Sequence, residues 1–170
     1  EHLEQDYDYY CYLEDDLIIN DASFFQKLSS FTSFLGDKFL VLPQRYELSH
    51  SIHQVEKFFI DGPIEHTFIQ DYYTYPAPVR LLQYGPLAIA LEPPSNPHAG
   101  CFFLSRNQLN TWIKKDYWLD KDDSFISPLE SSATLGISKT FEILKPSFDN
   151  ASWFEVQHFG NSFHSLITTK

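Results

Sequence analysis

Tyr9-Tyr10-Cys11-Tyr12-Leu13-Glu14-Asp15-Asp16-Leu17-Ile18-Ile19 is the stretch whose reading decides the fold. An aromatic and aliphatic run enters three consecutive acids and turns apolar again. The first five residues have a strand's composition and are too few for a helix. Carboxylates crowded at the end of a buried strand repel one another and resist desolvation. A compensating positive charge is expected there, and a divalent cation with oxygen ligands supplies it economically. The bland alternative is a solvated acidic loop at a strand end.

The rest of the chain alternates helical and strand patterns. Asn20 or Asp21 is placed to cap a helix. Phe24, Leu28, Phe31 and Leu35 then recur at helical spacing up to Gly36, a stripe that reads as core. Phe39–Leu42 reads as a short buried strand. Residues 44–54 are polar and carry His50 and His53. Val55–Ile60 is strand-like and turned by Asp61-Gly62-Pro63. Residues 65–78 read as a Tyr- and Pro-rich surface loop. Leu87–Leu91 and the apolar run after Gly100 are strands. Ser105 with Gln108 gives a capping box for the helix that follows. Pro128 is suited to the first position of another helix, and Ser127 with Glu130 repeats the box. Phe141–Leu144 and Trp153–Val156 read as closing strands. The alternation predicts an α/β layered architecture in a single domain over residues 1–170.

Composition narrows the function classes. The chain has 170 residues, 43% hydrophobic and 17% aromatic, which predicts a folded domain with a sizeable core. A formal net charge of -11 without a Lys/Arg cluster argues against nucleic-acid backbones and anionic lipid as partners. No apolar run approaches the roughly 20 residues of a membrane span. Cys11 and Cys101 both sit in apolar stretches and read as buried structural thiols. Asn150-Ala151-Ser152 is a glycosylation sequon, a triplet that is common by chance. His98 and His164 read as surface residues, and Trp112, Trp118 and Trp153 as core.

Four features stand in a telling order: Glu14-Asp15-Asp16, Gly100 in His98-Ala99-Gly100-Cys101-Phe102-Phe103-Leu104-Ser105-Arg106, Glu130 in Pro128-Leu129-Glu130-Ser131, and His158 in Val156-Gln157-His158-Phe159-Gly160. Together they resemble the GT-A glycosyltransferases over about residues 9–165. That superfamily carries a D-x-D-type acidic motif at a strand end, a glycine-bearing loop near the donor, an acidic residue at a helix start and a late metal-ligating histidine. The motif here departs from the pattern by reading Glu-Asp-Asp. The family also builds its nucleotide pocket from a βαβ unit before the acids, and only a few residues precede them here. The resemblance therefore implies the later part of such a domain, or an incomplete pocket.

It implies a GT-A-like (Rossmann-like) mixed sheet flanked by helices. It also implies metal-dependent transfer of a sugar from a nucleotide-sugar donor to a glycan or other hydroxyl acceptor. Asp16, Glu14 and His158 would hold Mn²⁺ or Mg²⁺, with Asp16 a direct ligand and Glu14 acting through water or on the ribose. Glu14, Asp15 and Gly100 would contact substrate, although strand alternation turns Asp15 away from its neighbours. Glu130 would be the catalytic base. For each residue a structural role competes: a helix cap for Glu130, a turn for Gly100, an ordinary hydrogen-bonded histidine for His158. A non-catalytic or truncated carbohydrate-binding module is the alternative function, and a metal-dependent phosphoesterase using the same acids is a second. No signal peptide is visible. A cytoplasmic setting is the default expectation, with a Golgi-type lumen open if a longer parent chain carries an anchor.

Overall fold

A computed structural model describes residues 6–50, 54–64, 79–160 and 163. The expectations for His53, the loop at 65–78 and His164 fall outside those residues. Among the described residues the chain is a mixed α/β structure. Strand β1 is Tyr9–Leu13, β2 Leu17–Ile18, β3 Phe39–Val41, β4 Gln44–His50 and β5 Val55–Phe59. They are followed by β6 Arg80–Tyr84, β7 Leu87–Glu92, β8 Cys101–Ser105, β9 Glu142–Pro146 and β10 Glu155–His158. The helices are α1 Phe24–Leu35, α2 Arg106–Trp112 and α3 Pro128–Thr140, with a 3₁₀ helix at Phe148–Trp153.

The strands form a β1–β8 pair and two four-stranded mixed sheets, ordered β2-β10-β4-β5 and β3-β9-β7-β6. Both larger sheets mix parallel with antiparallel pairing. The parallel pairs are β10 with β4 and β3 with β9.

The apolar run of β8 is continuous because both of its faces are covered. Cys101 and Phe103 enter one core with Phe24, Leu28, Phe31 and Phe154. Phe102 and Leu104 enter a second core with Leu109, Trp112 and Ile137. The predicted Phe24/Leu28/Phe31 stripe is buried, and the Phe24 ring stacks on Phe154 at 4.5 Å between centroids. On the other side α3 approaches α2 so closely that a β-carbon at Gly136 would stand 2.2 Å from Trp112 Cζ2. Glycine's cost in a helix is offset there by contact with an indole ring.

Several local readings are corrected. Helix α1 starts after Ser23, not after Asn20 or Asp21; Asp21 instead accepts from the Ser23 amide and pairs with Lys27 at 2.7 Å. The capping box is present at α2, where Ser105 and Gln108 bond reciprocally, and absent at α3, where the Ser127 side chain makes no cap bond. Cys11 is exposed and Cys101 buried, each a free thiol. The polar segment beginning at Gln44 is a strand with Arg45, Tyr46 and Glu47 buried. Residues 80–84, read as no element in the sequence, form β6.

Candidate functional site

Strand β1 delivers the acids. Leu13 faces Cys101 across the β1–β8 ladder, and the Glu14 amide donates to the Gly100 carbonyl at 3.0 Å. The chain then turns through Asp15 and Asp16 into β2. Two backbone contacts fix Asp16: Leu17 pairs with His158 of β10, and the Phe159 amide donates to the Asp16 carbonyl at 2.7 Å. This antiparallel ladder brings the late histidine to the early acids.

His158 Nε2 lies 3.1 Å from Asp16 Oδ2. The imidazole is nearly buried and the carboxylate half-exposed. The other ring nitrogen, Nδ1, lies 2.9 Å from Glu47 Oε1 on β4, a fully buried carboxylate. Asp16 Oδ1 is buried without a hydrogen-bond partner among the described residues. Glu47 was missed in the sequence. It stands in Gln-Arg-Tyr-Glu-Leu-Ser-His, where only Tyr46 and Leu48 hint at a strand, and its partner lies 111 residues away.

Gly100 has φ +63, and a β-carbon there would stand 2.5 Å from Glu14 Oε2. Glycine is required on both counts: conformation and room for the Glu14 carboxylate. Gly100→Ala should lower the unfolding free energy by about 1–2 kcal/mol or more, read by urea denaturation, because alanine pays the left-handed cost and displaces Glu14. Burial raises the pKa of Glu14 above the ordinary value, and the negative charges of Asp16 and Glu130 push the same way against Arg45 and His158. Burial also raises Tyr12, and Glu14 and Glu130 add to it. These acids therefore share one electrostatic neighbourhood. Asp15 is exposed at the turn.

Glu130 occupies the third position of α3, in its first turn. Its Oε2 atom is buried and unpartnered among the described residues. Glu130 is left outside any capping box with Ser127. It lines a cavity of about 540 Å³ together with Arg45, Asn96, His98, Ile126 and Phe163. The Phe163 ring packs edge-on against His158 at 5.2 Å between centroids, so the cavity wall and the Asp16–His158 pair are in contact.

Beneath the cavity lies a buried ionic cluster. Arg45 Nε pairs with Asp61 Oδ1 at 2.8 Å, and Lys145 Nζ with Asp61 Oδ2 at 2.7 Å. Lys145 Nζ also donates to the His98 carbonyl at 2.7 Å. Burial opposes ionisation of Asp61, but the Arg45 and Lys145 charges outweigh it and hold the carboxyl below the usual carboxylate range. His98, read as a surface residue, is buried: its Nδ1 is 3.1 Å from Thr134 Oγ1. Burial, helped by Arg45, drives its pKa down to about 3, so the ring is neutral at ordinary pH.

The donor set can be tested against a cation. Among the described residues no group of three or more His, Cys, Asp or Glu side chains forms a cage by itself. Mg²⁺-type sites commonly rest on one or two protein ligands, with substrate phosphates completing the shell. Adjacent ligands of an octahedron with bonds near 2.1 Å are about 3.0 Å apart, and the Asp16–His158 separation is 3.1 Å. The spacing of Asp16 Oδ2 and His158 Nε2 fits two adjacent ligands of such an ion, and the nitrogen suits Mn²⁺. Glu14, by contrast, is packed against the Gly100 backbone.

Compared with known proteins, the chain matches no family model, no curated protein and no solved structure. Among the described residues no helix is long and apolar enough to cross a membrane.

Proposed function

We propose that this chain carries the catalytic side of a metal-dependent glycosyltransferase of GT-A type, moving a sugar from a nucleotide-sugar donor to a hydroxyl acceptor. The supporting observation is the 3.1 Å approach of His158 Nε2 to Asp16 Oδ2, made by residues 142 positions apart. Asp16 and His158 are the direct ligands of Mn²⁺ or Mg²⁺ in this reading. When bound, the cation offsets the charge that develops on the departing diphosphate.

The protein's own groups supply the rest. Glu130 stands at a helix N-terminus, where a carboxylate is favoured as an anion, and offers its unpartnered Oε2 to the acceptor hydroxyl. It takes that hydroxyl's proton as the oxygen attacks the sugar. The cavity beside it gives the acceptor a partly apolar seat with Asn96 and Arg45 as polar contacts. Glu14 is held against Gly100, and Asp15, exposed at the turn, is open to the donor in this reading.

The deciding experiment is Mn²⁺ titration followed by electron paramagnetic resonance, with and without a nucleoside diphosphate (UDP and GDP in turn). The wild type is expected to bind about one ion, more tightly with the nucleotide present. Asp16→Ala should weaken that binding by at least about tenfold. Unchanged affinity in Asp16→Ala overturns the assignment. Sugar binding without any turnover of nucleotide sugars would favour the carbohydrate-binding module instead.

A further inference from the structure

We propose that Glu47 is a positioning residue for the cation site. Its carboxylate accepts a hydrogen bond from His158 Nδ1–H and so holds Nε2 turned toward Asp16. The inference rests on Asp16 and His158 as the cation ligands, and it assigns a role to a third side chain that no sequence motif marks.

Backbone pairing makes the contact. Parallel pairing of β10 with β4 sets Glu155 beside Gln44, Val156 beside Arg45 and Gln157 beside Tyr46. One further step along both strands brings His158 to Glu47. The side chain of Glu47 is 0% exposed, and its Oε1 atom receives the Phe163 amide at 3.2 Å as well as His158 Nδ1 at 2.9 Å. An oxygen that already accepts from a backbone N–H accepts from Nδ1 as well, so Nδ1 donates to Glu47. Nε2, on the other side of the ring, faces Asp16 Oδ2 at 3.1 Å. A carboxylate behind a ligating histidine fixes its tautomer and ring orientation and raises the basicity of the ligating nitrogen.

Phe163 completes the arrangement from two directions. Its amide donates to Glu47 and its ring packs against the imidazole at 5.2 Å. The ring is therefore fixed at Nδ1 by a hydrogen bond and on one side by an aromatic contact. A histidine so held loses little freedom on binding an ion, since its rotamer is already set.

The test combines a tautomer measurement with a metal titration, both on the whole chain. In ¹⁵N-histidine-labelled wild type without metal, side-chain nitrogen shifts should show His158 protonated at Nδ1. Mn²⁺ alone should broaden His158 Nε2 first. Glu47→Leu removes the acceptor. It should mix the tautomers and raise the Mn²⁺ dissociation constant about 10–100-fold. Glu47→Gln keeps a carbonyl acceptor for Nδ1–H, and its dissociation constant should stay within about fivefold of wild type. Wild-type His158 without a proton on Nδ1 would overturn the proposal, as would a folded Glu47→Leu that binds Mn²⁺ as wild type does. If Glu47→Leu does not fold, the wild-type tautomer decides alone. If wild type binds no Mn²⁺, the glycosyltransferase reading fails, and the tautomer still reports whether Glu47 orients His158.

Discussion

Glu130→Gln should slow sugar transfer about 10²–10⁴-fold while thermal melting moves by less than about 2 °C. The substitution is isosteric and removes only the capacity to take a proton. If Glu130 were a cap, glutamine would keep the reciprocal hydrogen bond and activity would persist. The structure shows no such bond at Ser127, and Oε2 is buried without a partner. Stability therefore has little to lose in this variant, and a full-rate Glu130→Gln enzyme would remove the residue from the chemistry. The variant should also keep its Mn²⁺ affinity, because Asp16 and His158 are untouched. That separation of turnover from metal binding distinguishes a base from a ligand.

Asp61→Ala should cost about 3–5 kcal/mol of unfolding free energy, measured by urea denaturation at neutral pH. The substitution takes away the anion that Arg45 and Lys145 share, at 2.8 and 2.7 Å, and leaves two buried cations facing each other. Breaking a buried pair on one side is expensive because the remaining charge has lost its water and gains no partner. The sign of the pH dependence follows from the depressed carboxyl of Asp61. Its contribution is fully present above the unfolded-state pKa of about 3.9 and is lost as pH falls below it toward the folded value. The stability difference between wild type and Asp61→Ala should therefore narrow in acid and stay constant from about pH 5 upward. A difference that does not change with pH would show that Asp61 acts by packing alone. Cavity shape should suffer as well, since Arg45 lines the cavity and Lys145 holds the His98 carbonyl.

What was legible in the sequence was what short-range chemistry fixes. The strand before the acids, the buried run after Gly100, the phenylalanine stripe of α1 and the capping box of α2 all follow from neighbours within a few residues. The order of acids, glycine, glutamate and histidine was legible too, and it led to the proposed chemistry. The structure places Asp16 against His158 and Glu14 against Gly100, and sets Glu130 in the same field.

Tertiary structure decided wherever a polar residue is buried by a distant partner. Strand β4 lacks an apolar pattern because Arg45 and Glu47 are buried in it beside Tyr46, and their partners Asp61 and His158 come from other segments. His98 looked like a surface histidine in a Pro-rich loop, yet it lies 5% exposed beside Thr134, with its carbonyl bonded to Lys145. Cys11 and Cys101 sit in similar apolar strings, and pairing separates them: Cys101 lies on β8, covered on both faces, and Cys11 on β1, exposed. Hydrophobic patterning reports which side chains leave water when nothing else stabilises them. A charge leaves water only when an opposite charge or a hydrogen bond meets it, and that meeting is arranged by chain segments far apart in sequence.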